Sequence, residues 1–194
     1  ITLGAAITAT PWNGLAGGVV AMSVNGTLNL NGNSINVSGQ GFRGADFIGG
    51  SATGSGDSST DYVVATGTRW GAKGEGIAGG PNVGPMPNTD GYPSGSLARG
   101  APGNGGGGGN DHNAGGGGGG NIGAGGSGGF PWPTGTVGGK GGGLFNGYSG
   151  RLLAGGGGGA GNKNNAGGTG FGGNGGGLVF INATTIIPGG GSIL

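Results

Sequence analysis

The chain has no cysteine, so neither disulfides nor cysteine-based metal sites can hold it together. It has one histidine, and only 7% of its residues are charged, for a net charge of +1. The cations are scattered (Arg43, Arg69, Lys73, Arg99, Lys140, Arg151, Lys163) and form no basic patch of the kind that binds nucleic acid. No run of ~18 apolar residues exists, so no segment is long enough to span a membrane as a helix. Large apolar groups are scarce too. Leu, Ile, Val and Phe together stay below the ~20% associated with disorder, although that rule also requires a high net charge. With so little self-repulsion, nothing forces the chain to stay expanded.

What the chain has instead is glycine: 65 of 194 residues, about five times ordinary usage. An ordinary oily core cannot be built from this composition. If the chain folds, main-chain N–H and C=O groups must satisfy one another. Those bonds must offset the large entropy that each ordered glycine loses.

Glycine is densest over residues 100–177, with blocks at 105–109, 115–120 and 155–159. Such blocks are usually flexible linkers. The spacing favours a folded body. Gly100, Gly103, Gly106 and Gly109 are three apart, as are Gly117, Gly120, Gly123, Gly126 and Gly129, and Gly167, Gly170, Gly173 and Gly176. A polyproline-II helix puts every third residue on one edge, and glycine there lets two helices touch backbone to backbone. Short inserts interrupt the runs at 110–113, 130–133, 144–148, 151–153 and 162–165. The passes between them, at ~3.1 Å per residue, would be ~25–45 Å long, the size of a small domain. No α-helix is expected, because each glycine would penalise one by ~1 kcal/mol.

The ends read as β structure. Val20, Met22, Val24, Leu28 and Leu30 alternate with small or polar residues, the mark of a half-buried strand. Asn31-Gly32 is a hairpin-type turn signal. Pro11-Trp12-Asn13-Gly14 reads as a turn carrying an aromatic lid on the sheet. The C-terminus repeats this unit. Gly17-Gly18-Val19-Val20-Ala21-Met22-Ser23-Val24 matches Gly176-Gly177-Leu178-Val179-Phe180-Ile181-Asn182-Ala183. Further on, Asn31-Gly32-Asn33-Ser34-Ile35 matches Gly189-Gly190-Gly191-Ser192-Ile193, with one residue dropped between. Repeats usually stack, so the two copies are expected side by side, with the rest of the chain as one excursion that leaves and returns. The expected organisation is a single domain. Residues 1–40 and 176–194 are paired β repeats, 41–99 are transition loops, and 100–175 are a polyglycine-II bundle. Within the transition zone, one short strand is expected at 62–65 and an irregular surface loop at 81–102, where prolines cluster.

Chemistry is sparse. Asp111-His112 could supply the base of a triad, but no Gly-x-Ser-x-Gly elbow provides a nucleophile, so a solvated loop is the expectation. Asp57 and Asp61 could share a calcium ion, yet the calcium-binding glycine nonapeptide needs an Asp where this chain has Gly177. Gly138-Gly139-Lys140-Gly141 fails as a phosphate-binding loop, with Thr134 and Gly141 where glycine and Ser or Thr belong. Strict Gly-X-Y does not persist, which excludes collagen. No enzyme, cofactor or metal is expected. The rare aromatics are the remaining candidates, because Tyr and Trp are the usual anchors of recognition surfaces. Trp132, Tyr148, Tyr92 and His112 all fall in inserts or loops. They are the candidate ligand-binding residues, with capping of the glycine passes as the alternative role.

Glycine runs broken by short aromatic and polar inserts resemble the tips of phage tail-fibre adhesins. That resemblance implies polyglycine-II helices as a body and loops that read a host surface. Snow-flea-type antifreeze proteins share such bundles but rely on regular tripeptides and disulfides, both absent here. The longer frame is similar to glycine-rich modules of large bacterial surface proteins, including gliding- and adhesion-type proteins. It consists of Gly-Gly-Val-Val-Ala-Met-Ser-Val, Asn-Gly-Thr-Leu and Ser-Ile-Asn-Val-Ser-Gly-Gln-Gly-Phe-Arg-Gly, a glycine region, then Gly-Gly-Gly-Leu-Val-Phe-Ile-Asn-Ala. This implies a secreted, cell-surface role. The expected partner is a surface glycan or an envelope protein, or further copies of the chain, and a structural filament or spacer is the competing role. Because Ile1 and Leu194 both fall inside a pattern, a piece of a longer protein is expected.

Overall fold

The computed structural model describes residues 1–46, 62–64, 70–78, 95–132, 138–145, 152–162 and 170–194. Among these there is no α-helix, and regular strand is confined to the two ends. Strand β1 is Val19–Asn29, β2 is Ser34–Ile35, β3 is Leu178–Ile187 and β4 is Ser192–Ile193. The alternation in β1 sorts its side chains by face. Val20, Val24 and Leu28 are buried, whereas Ala21, Ser23, Asn25 and Thr27 are exposed. They join Leu3, Ala9, Leu30, Ile35 and Val37 in the larger of two apolar clusters, with Met22, Val179, Ile181 and Ala183 packed against it.

β1 pairs with β3 in parallel, and β2 pairs with β4 in parallel. The register is the one the internal match predicts: Val19 lies opposite Leu178, Val24 opposite Ala183, and Ser34 opposite Ser192. The dropped residue also has a structural counterpart. The register shifts between Val24 and Thr27, and Gly26 takes a φ of 103°, which lets the longer copy bulge without breaking the ladder. Residues 1–10 lie along the opposite edge, with Thr2 bridged to Asn29 and Ile7 to Ile35, both parallel.

Asn31-Gly32 does form a tight turn, with φ values of 51° and 79° and Asn33 N–H donating to the Leu30 carbonyl at 2.9 Å. It does not make a hairpin. Gly189-Gly190 forms the same turn in the second copy, at φ 55° and 86°. Each turn is a corner that passes the chain to a second sheet. A hairpin would fold a copy back on itself, whereas here each strand finds its partner in the other copy.

The glycine body has no strand assignment, yet its main-chain bonding is regular. Gly106 and Gly109 donate to the carbonyls of Gly157 and Ala160. Gly156, Gly159 and Asn162 donate to Gly120, Gly117 and Ala114. Gly115 and Gly118 donate to Gly129 and Gly126, and Gly125 and Gly128 to Gly142 and Gly139. Each series steps by three residues, so a pass meets the same neighbour once every third residue and other neighbours in between. The segment 104–110 bonds in this way to passes around residues 71–74, 98–99, 117–120, 140–143 and 157–160.

This lattice reaches beyond the segment where the glycine blocks lie. Phe42 and Ala45 donate to Gly155 and Gly158, Gly71 and Gly74 to Gly109 and Gly106, and Ala98 to Gly71. Residues 95–99 are buried, and Leu97 anchors a small second cluster with Ala45, Ala72 and Ala160. The end of the expected surface loop is therefore interior, because its small residues suit the lattice. Residues 81–94 lie outside the described residues. Of the expected strand at 62–65, Val64 forms an antiparallel bridge with Leu97, and Ala65 is not among the described residues.

Candidate functional site at the tip of the glycine body

The body has two ends. The chain leaves the β layer at Val37–Gly41 and returns at Gly175–Leu178, where Gly41 donates to Gly175, Gly177 to Val37, and Leu178 to Gly18. The pass at 41–45 runs alongside 155–158, away from the β layer. The bond from Gly109 to Ala160 then places the end of the 104–110 pass far from that junction. Insert 110–113 follows directly, so it sits at the tip opposite the β layer.

At this tip the structure brings together two of the four candidates. The Trp132 N–H donates to the His112 carbonyl at 2.9 Å, and the two rings lie 5.3 Å apart, tilted by 40°. Trp132 is 66% exposed and neighbouring Phe130 is 67% exposed, so aromatic surface is offered outward. The turn beneath is built by Asp111. Its Oδ1 accepts from the His112 main-chain N–H at 2.8 Å, and its carbonyl accepts from Ala114 N–H at 2.6 Å. Asn113 completes the turn at a φ of 63°. Asp111 and Asn110 are buried, so the insert is held from below while the rings stay above. His112 is thus half-buried beside an indole rather than free in solvent. Tyr92 and Tyr148 lie outside the described residues, as do Asp57 and Asp61.

The tilted indole and imidazole together offer an exposed, polarisable surface with hydrogen-bonding nitrogens. Among the described residues, no group of three His, Asp or Glu is placed to hold a metal ion. No helix of the described residues is long and apolar enough to cross a membrane.

A second site, at the junction of β layer and body, escapes sequence reasoning. Trp12 meets Phe42 edge-on, with centroids 6.2 Å apart. Its Nε1–H donates to Glu75 Oε2 at 3.0 Å. The same oxygen accepts from Arg43 N–H at 2.9 Å and from Arg43 Nε–H at 3.1 Å. Glu75 is the chain's only glutamate and is buried. Trp12 borders the sheet beside Val19 and Leu178, and its indole N–H does more than cover it. It ties the 11–16 turn to the glycine body. Beside it, Val19, Phe42, Leu152, Leu153 and Leu178 help line an apolar cavity of about 220 Å³. The adjacency of Phe42 and Arg43 after the β repeat was a local hint, but nothing in the sequence links them to Glu75.

Nearby in sequence, Lys73 is buried and its Nζ donates to the Tyr62 carbonyl at 2.6 Å. Burial lowers its pKa from the ordinary 10.5 to about 8. The Arg99 guanidinium lies 5.2 Å from the Tyr62 ring centroid.

No protein-family model matches the chain, and neither a curated protein nor a solved structure matches it.

Proposed function

We propose that the chain is a non-enzymatic extracellular adhesin or surface-fibre module. In this reading its body is a bundle of polyglycine-II helices, and the inserts at its tip bind a surface glycan or an envelope protein. The helical reading is supported by the three-residue period of the main-chain bonding, which is the period of that helix. The observation that carries the binding reading is the His112–Trp132 pair. Two inserts, from different passes, meet at the end farthest from the β layer and expose an indole that the fold does not need to bury. A rigid scaffold with its rare aromatics on terminal loops is how recognition surfaces are arranged. No catalytic step is assigned to any residue.

A glycan array, followed by Trp132→Ala and His112→Ala, tests the reading. Binding that disappears in both variants while amide protection of the body persists supports it. Binding that survives both removes the tip from the argument. The competing reading, a structural module that stacks on copies of itself, is favoured by one observation. Gly123, Gly126, Gly129, Gly173 and Gly176 stay glycine although a Cβ at each would meet only open space.

A further inference from the structure

Over residues 29–35 of its middle copy the β layer is a stack of three parallel rungs, and among the described residues both outer edges are uncovered. A strand has two hydrogen-bonding edges. Asn29 pairs with both Thr2 and Ile187, and Ile35 with both Ile7 and Ile193. Residues 1–10 and the β3–β4 copy therefore flank the middle rung on opposite sides. Among the described residues, no strand lies on the outer edge of β3 or of the 1–10 segment.

Those edges carry little of the usual protection. Exposed edge strands are normally guarded by charge, proline or a bulge. Neither 1–10 nor 178–194 contains a charged side chain. The one proline, Pro188, turns its nitrogen to the outer edge at the end of β3, because Leu30 N–H bonds the Ile187 carbonyl on the inner side. The bulge is in β1, the inner strand. The outer rung instead leaves Phe180, Ile187, Ile193 and Leu194 exposed, and Ile1 is 70% exposed at the other end.

We infer that the outer edge of β3–β4 receives residues 1–10 of a second copy of this chain, in parallel and in the register that the chain already uses internally. The occupant follows from continuity of the stack. The 1–10 segment already fits the edge of one β repeat, and β3–β4 is the other repeat with the same corner turn. Carrying the internal pairing over sets Thr2 of the second copy opposite Ile187, and its Ile7 opposite Ile193. Such a head-to-tail contact, repeated by translation along the stack of rungs, builds a fibre rather than a two-fold dimer. With three rungs per copy at ~4.8 Å spacing, the axial repeat is roughly 14 Å. This inference is independent of the tip and its ligand.

The lack of cysteine gives a clean test. Two single variants of the full chain, Thr2→Cys and Ile187→Cys, are mixed under oxidising conditions. The expected product is a mixed disulfide between the two variants, formed well above the level seen when Ile122→Cys replaces either one. Predominant coupling of Ile187→Cys to itself would mean an edge-to-edge dimer and overturns the inference, as does the absence of coupling. In parallel, Ile187→Lys/Ile193→Lys places charge on the two exposed positions set opposite Thr2 and Ile7 of the second copy. Wild type is expected to sediment as concentration-dependent oligomers, and this variant as a monomer with its amide protection intact. A wild type that stays monomeric at every concentration also overturns it.

Discussion

At the residue scale, the glycines divide by what a Cβ would strike. On Gly107 it would fall on the Arg99 carbonyl oxygen, on Gly159 on that of Gly107, and on Gly108 on that of Gly71. These are main-chain atoms already committed to hydrogen bonds, so no flexible side chain can give way. Gly107→Ala is expected to destabilise by about 3 kcal/mol or more, the upper end of overpacking costs. Gly126→Ala meets open space at an unstrained φ and is expected to stabilise by roughly 0.4–1 kcal/mol through the unfolded chain. Urea denaturation of the two variants checks the contrast, and equal effects would remove steric necessity as the reason for glycine in the interior. Lys73 adds a pH dependence. Between about 8 and 10.5 the unfolded chain keeps a proton on this amine that the folded chain has released. Stability is therefore expected to rise with pH through that window and level off above it. Lys73→Met should flatten the slope, measured as the denaturation midpoint across the window.

At the element scale, two contacts organise the molecule: β repeat on β repeat, and Trp12–Arg43–Glu75 between layer and body. Glu75→Gln removes the charge from an acceptor shared by the Trp12 indole and two Arg43 donors. A loss of about 1–3 kcal/mol is expected, as for a buried group left with poorer partners. Trp12 fluorescence during unfolding reads it directly. Trp132→Ala, at the far end, is expected to change stability by less than ~0.5 kcal/mol because the ring is largely exposed. On the proposed reading, its effect falls on binding alone. The pairing of the ends was legible down to single residues, because a repeated strand carries its own register. The role of Asn31-Gly32 was only half legible. Its left-handed pair of residues is local chemistry, but whether the next strand turns back or moves on depends on which partner arrives.

At the scale of the whole molecule, the described residues are joined chiefly by main chain on main chain, with one apolar cluster in the β layer and a smaller one inside the lattice. Proton exchange should show this as slow amides at Gly106, Gly109, Gly117, Gly156 and Gly159, deep in the lattice, and fast ones at Gly123 and Gly173 on its surface. Uniformly fast exchange in the body would mean that these bonds do not hold in solution. The period of three was visible in the sequence, but the passes that share it were not. Residues 41–45, 71–75 and 96–100 join the lattice although they lack glycine blocks. The first two enter through single glycines three apart, Gly41 and Gly44, Gly71 and Gly74, where a Cβ would strike a main-chain carbonyl. Ala45 and Ala72 beside those glycines are small enough to be buried with Leu97, and a residue's size is no guide to which carbonyl it will meet.

The sequence alone determined that side chains could not fill the glycine body, that glycine would recur every third residue there, and that the two ends would pair in one register. Each of these rests on short-range patterns: composition, period and repeat. Only the tertiary structure decided that His112 meets Trp132 at the tip, that Glu75 is the anchor between body and layer, and that among the described residues the outer edges of the β layer stay uncovered. Those outcomes depend on how many passes surround each other in three dimensions. Glycine, having no side chain, leaves no mark in the sequence of which neighbour it has.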